Sequence, residues 1–239
     1  MPLQAISRVN LLWRREMVNL RKYLCNNGLT LGLLAIFVLC LVGMVWSGLL
    51  DENATLAEHG EPLLGVVEYF LSPSFQSALF ENWESEFLQM SAYVIMTAFL
   101  FQRGSSESKD PDRENPEDAN PSEDQRTRRA PWPVRAGGLW SSIYSYSLGI
   151  ALVSLFAASF VMHWLQSCAA ANEDATMHGQ STLSALEYLG DPTLWFESFQ
   201  NWQSEFLSTA VLVILSVFLR HRGSPESKPV AAPHSKTGH

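Results

Sequence analysis

The residues best placed for chemistry occur twice. Residues 80–89 read FENWESEFLQ and residues 199–208 read FQNWQSEFLS. In each copy an Asn and a Glu stand four apart, Asn82 with Glu86 and Asn201 with Glu205. That spacing puts each pair on one face of a helix. Trp83 and Ser85 stand between the first pair, Trp202 and Ser204 between the second. A carboxylate beside a carboxamide can bind a cation, hold a proton, or accept a hydrogen bond from a facing helix. All eight residues are therefore candidates for binding or for contact between the two copies. The plainer reading is an interfacial aromatic belt with a structural hydrogen bond between the copies.

Other ionisable groups say less. His59 and His178 are each followed by Gly, as in a turn. With Glu86 and Glu205 they could form a symmetric metal site, but no HExxH pattern or paired Cys supports one, and no metal is expected. His163 is the only ionisable group in the apolar run 147–167, where a snorkelling or helix-bonding role is expected. The chain has no GxxxxGK[ST] phosphate loop, no GxSxG nucleophile turn and no CxxC. No catalytic residue, cofactor or enzymatic activity is expected. Cys25, Cys40 and Cys168 suggest no disulfide framework.

The elements that carry these residues are apolar and helical. Residues 29–50 contain no charge. At about 1.5 Å per residue they reach about 33 Å, enough for a hydrocarbon core of about 30 Å. Residues 147–167 form a second such run. The runs 87–101 and 206–219 are shorter, but Ser72-Pro73 and Asp191-Pro192 open helices well before them. Two helices of roughly 30 residues are predicted there. Short helices are expected around residues 63–71 and 181–189.

Charge sorts the segments. The 16 Lys and Arg all lie in 1–28, 103–135 and 220–239. Residues 51–86 and 168–205 contain none and hold 14 acids. The positive-inside rule then puts both termini and the central linker in the cytoplasm, with an acidic cap outside. No region combines basic density with a soluble fold, so nucleic acid is not an expected partner.

The copies keep one offset. RGSSESK at 103–109 and RGSPESK at 222–228 lie 119 apart, as do the NWxSEFL motifs, the EY pairs (Glu68-Tyr69, Glu187-Tyr188) and the HG pairs. This reads as a duplication of a two-helix unit. An even number of spans per unit gives both the same orientation, with a pseudo-twofold axis along the membrane normal. In RGSxESK the Gly reads as a helix C-cap, and the SxESK pattern reads as termination and local capping or, alternatively, as a recognition element for a cytoplasmic partner.

The tandem NWxSEFL and RGSxESK motifs, with APWPVR at 130–135, resemble an uncharacterised bacterial integral-membrane family, a domain of unknown function. The resemblance covers nearly the whole chain. It implies an inner-membrane protein with four spans, and no activity, substrate or catalytic residue. Glu84, where the second copy has Gln203, looks like tolerated variation.

The expected fold is all-α: four transmembrane helices in two tandem hairpins, each with a long second helix. Residues 1–28 are a basic amphipathic segment on anionic lipid. Repeat 1 covers 29–103, with outer segment 51–86, and repeat 2 covers 139–222, with outer segment 168–205. Residues 104–138 and 223–239 are read as a disordered cytoplasmic linker and tail. Small residues, among them Gly28, Gly32 and Gly43, suggest close helix packing. The function expected is a non-enzymatic membrane scaffold or partner-binding component. The alternative is a small channel or transporter with its site between the repeats. Expected partners are membrane lipid and another protein or a second copy.

Overall fold

The computed structural model describes residues 2–123, 127 and 129–238, with side chains from residue 21 onward. Most side chains of the expected amphipathic segment 1–28, those of residues 1–20, lie outside the described residues. Among the described residues the chain is helical, with no strand. The contacts divide it into two units, Met1–Leu71 and Ser72–His239.

The first unit holds α1 (Pro2–His59) and α2 (Val66–Phe70). The basic segment and the first apolar run are thus one continuous helix, which also runs on past residue 50. The Asn53 side chain stitches the turn. It accepts from Leu64 N (2.7 Å) and donates to Leu64 O (3.0 Å). Glu68 caps α2 by accepting from Gly65 N at 2.7 Å. Tyr69 then lies on Gly48, where an added Cβ would stand 2.1 Å from the phenolic oxygen. Gly28, Gly32 and Gly43 meet nothing within 4 Å of an added Cβ, so Gly48 is the close-approach glycine of α1.

The second unit holds α3 (Pro73–Phe99), α4 (Trp132–Ala136), α5 (Gly138–Ser145), α6 (Ser147–Met177), α7 (Ala185–Tyr188) and α8 (Pro192–Phe218). The predicted long helices open where expected. Ser72 Oγ accepts from Phe75 N (3.3 Å), and Asp191 accepts from Thr193 N (2.8 Å). At 27 residues each, α3 and α8 extend about 40 Å. α3 packs chiefly on α6 and less extensively on α8. Pairs such as Glu84 with His163 and Gln89 with Thr209 set α3 antiparallel to α6 and parallel to α8. α6 and α8 meet through rings, Phe160 on Trp195 (6.0 Å) and Phe156 on Trp202 (6.3 Å).

Two helices are long and apolar enough to cross a membrane, α1 from Arg21 and α6. Their apolar side chains, such as Leu29, Leu39, Val42 and Leu148, are largely exposed. Such a surface needs an apolar solvent or a covering partner.

The SxESK pattern gains a physical reason. In both copies the last Ser accepts from a backbone N–H six residues earlier, Ser108 from Gln102 N and Ser227 from His221 N, each at 2.9 Å. The first Ser accepts two residues on, Ser105 from Glu107 N and Ser224 from Glu226 N. The preceding Gly is not the helix cap. α3 and α8 end at extended Leu100 and Leu219, and Gly104 and Gly223 take positive φ (84° and 89°) in the turn beyond. Parts of the expected disordered linker and tail are also held in place. Ser105 Oγ meets Ser216 Oγ at 2.7 Å, and buried Lys228 donates to the carbonyls of Gly104, His234 (3.0 Å) and Lys236 (2.9 Å). Hydrogen bonds rather than apolar burial fix these stretches, so a composition lacking large apolar residues gives no sign of it.

Candidate functional site

The polar centre of the second unit lies where α3, α6 and α8 meet. Glu84 on α3 and His163 on α6 are both fully buried. Glu84 Oε2 lies 2.7 Å from His163 Nδ1. Glu197 on α8, with 30% of its side chain exposed, lies 3.3 Å from His163 Nε2. The second Glu84 oxygen accepts from Trp202 Nε1 at 2.8 Å. Ser167 donates to Glu197 Oε2 (2.9 Å) and lies 2.8 Å from Tyr188 Oη. The Ser167 proton is spent on Glu197, so Tyr188 is the donor of the second bond. A rim contact, Asn201 Nδ2 to Glu81 Oε1, joins α8 to α3 one turn from the triad.

Local sequence sets each position. Ser184 and Glu187 form a capping box: Ser184 Oγ accepts from Glu187 N, and Glu187 accepts from Ser184 N at 2.8 Å. The cap seats Tyr188 in a small core with Cys168 and Leu194. Asn172 holds Leu183 N and O at 2.8 Å each, and Trp164 Nε1 donates to Ala185 O at 2.7 Å. Together they fix the α6–α7 turn that sets Tyr188 over Ser167.

Burial raises the Glu81 carboxyl above its ordinary range; the nearby His163 ring pulls it down, while the Glu197 and Glu84 carboxylates push it further up. Burial also raises the Tyr188 hydroxyl. At the α8 start, backbone N–H donation from Thr193 holds Asp191 below the usual carboxylate range. Ser184 donation does the same for Glu187.

The eight residues singled out by sequence fall into two groups. Asn201 and Trp202 reach across to α3. The others stay local or at the edge. Asn82 Nδ2 donates to Ala78 O (2.7 Å), Ser85 to Asn82 O and Ser204 to Asn201 O (both 2.8 Å). Trp83 packs edge-on to Phe80 at 5.5 Å. Glu86 is exposed and Glu205 half-buried, and neither carboxylate makes a hydrogen bond among the described residues. The bridging carboxylates are instead Glu81, Glu84 and Glu197. His59 and His178 turn back on their own helices, to Thr55 O and Asp174 O at 2.9 Å each. Among the described residues no three His, Cys, Asp or Glu converge to hold a metal.

A signal for the triad was available in the places where the copies differ. At the offset of 119, Glu84, His163 and Glu197 align with Gln203, Met44 and Ala78. The repeated motif supplies Trp202 and Asn201, while the unrepeated positions supply the titratable groups.

No curated protein and no solved structure matches the chain significantly. Residues 20–239, nearly the whole sequence, match the domain of unknown function DUF6766, and the chain belongs to that family.

Proposed function

We propose that this chain is a four-span protein of the bacterial inner membrane, built from two tandem hairpins with both termini and the central loop in the cytoplasm. Its role is that of a non-enzymatic scaffold or partner-binding component with an acidic outer cap. The observation that carries this reading is that the acid–base groups at the bundle centre are spent on one another and on neighbouring donors. Glu84 is held by His163 and Trp202, and Glu197 by His163 and Ser167. Such a network locks helices together, and it leaves the apolar outer faces for lipid or protein.

The duplication is supported by hydrogen bonds that recur at one offset. Asn53 on Leu64 matches Asn172 on Leu183, and the Glu68 cap matches the Glu187 cap. The paired Ser contacts of RGSxESK recur likewise. Four spans and the stated topology rest on the charge segregation and on the 27-residue lengths of α3 and α8.

The second reading, a channel or transporter, is favoured by one observation: His163 is an ionisable group buried inside a helix able to span a membrane. Reconstitution separates the two. Protein in liposomes should pass no proton or monovalent cation above the empty-vesicle rate, and native mass spectrometry from mild detergent should retain a defined complex or dimer. Flux that disappears in Glu84→Gln would overturn the scaffold reading.

A further inference from the structure

Five groups at the bundle centre form a line able to pass protons: Tyr188, Ser167, Glu197, His163 and Glu84. One imidazole lies between two carboxylates, and each N···O contact needs a proton to be a hydrogen bond. Two protons must therefore be shared among three groups. An imidazolium between two carboxylates satisfies this, and so does a neutral ring with one protonated carboxyl. Both arrangements carry a net charge of about −1 by that count.

The two carboxylates of the triad differ. Glu84 is sealed, and its free oxygen is taken by Trp202 Nε1–H, a group with no lone pair to receive a proton. Glu197 is the member of the triad that reaches solvent, and its contact to the ring is the longer one, 3.3 Å against 2.7 Å. The other titratable groups facing this region are Glu81 on α3, Cys168 on α6, Tyr188 on α7 and the α8 cap Asp191, with Glu86 and Glu205 acting on each other further along α3 and α8. Residues 51–86 and 168–205 contain no Lys or Arg that could take the place of the shared proton.

We propose that Glu84, His163 and Glu197 form a reversible proton-binding site with a single mouth at Glu197, and that loss of its proton breaks the His163–Glu197 tie and loosens α8 on α6. With one proton gone, a ring nitrogen presents its lone pair to a carboxylate. The contact that yields is the longer and wetter one. Glu197 then turns to solvent while Glu84 stays on the ring. This goes beyond the scaffold reading and holds whichever way the bundle faces.

The test uses the full chain in lipid nanodiscs, with 15N in the imidazoles and 13C in the carboxyls, and His163→Gln to assign the ring. At neutral pH the triad should hold two protons, as an imidazolium or as a neutral ring facing a protonated carboxyl. Raising the pH should remove one, and amide exchange over residues 193–204 should quicken at the same midpoint. The expected change is about tenfold or more, the loss of one charge-assisted hydrogen bond. Glu197→Gln, whose amide carries no titrating proton, should abolish the exchange step. A neutral ring between two ionised carboxylates at neutral pH would overturn the proposal. So would exchange in α8 that stays flat through the ring's titration. If His163→Gln does not fold, the wild type and Glu197→Gln still decide.

Discussion

At the residue scale, Glu84, His163 and Glu197 matter more to packing than the repeated side chains around them. Removing one member strands a buried charge, which costs about 3–5 kcal/mol. Thermal unfolding in detergent should show that loss for Glu84→Ala and for His163→Ala. The triple replacement Glu84→Gln, His163→Met, Glu197→Ala installs the residues found 119 positions away. It should cost less than His163→Ala alone, because no unpaired charge remains. A triple variant less stable than the single one would refute the view of the triad as an interdependent unit. In the other unit, Gly48→Ala should destabilise by about 1–3 kcal/mol through overpacking. Tyr69→Phe should restore part of that loss, since the phenolic oxygen is the nearest atom to the added Cβ. The aromatic and amide members of the site, Trp202 and Asn201, were legible because the motif repeats. Of the titratable members His163 was legible as the lone ionisable group of an apolar run, with helix bonding among its expected roles; Glu84 and Glu197 were not, because a comparison of copies draws attention to identity, and these positions are where identity fails.

At the element scale, helix starts were the most readable feature. A capping side chain followed by Pro fixed the openings of α3 and α8, because cap and ring act within one turn. Ser72→Ala should lower stability by about 1 kcal/mol, read as a shift in denaturation midpoint. The acidic caps add a pH dependence. Asp191 and Glu187 sit below their ordinary carboxylate range because backbone and hydroxyl donors hold the charged form. Their contribution is complete above the unfolded-state value and fades as the pH falls through the lowered one. Asp191→Asn should therefore flatten part of the acid limb of a stability–pH curve and leave the neutral region less changed; an unaltered acid limb would count against the cap. Helix ends were harder to read. Gly104 and Gly223 looked like caps, but Leu100 and Leu219 are already extended. The reason is the six-residue serine turn that follows, whose bonds compete with another helical turn. That turn is local but aperiodic, and the Lys228 clasp on Gly104 depends on a contact distant in sequence, so neither leaves a periodic trace.

At the scale of the whole molecule, the long apolar runs pointed to an all-helical chain with four spans; the described residues are helical without a strand, and two of their helices are long and apolar enough to cross a bilayer. The runs did not settle how the helices group. Periodicity identifies a helix and its apolar face, and the partner of α3 depends on Glu84 meeting His163 across 79 residues. The proposed topology has its own check. A phosphatase reporter joined within residues 110–120 should be inactive and one joined near residue 180 active; the reverse pattern would invert the arrangement. The asymmetry between the halves sets a stoichiometry. Two identical hairpins meeting as a homodimer would carry two equivalent acid–base centres or none, and a pair would influence each other's ionisation. Under the proposed duplication, a tandem chain escapes that constraint, because one half can change while the other keeps its framework. Among the described residues there is then one such centre, and the loss of its one proton as the pH rises should follow a single step with a Hill slope of about one, any further ionisation of the coupled groups being a separate step.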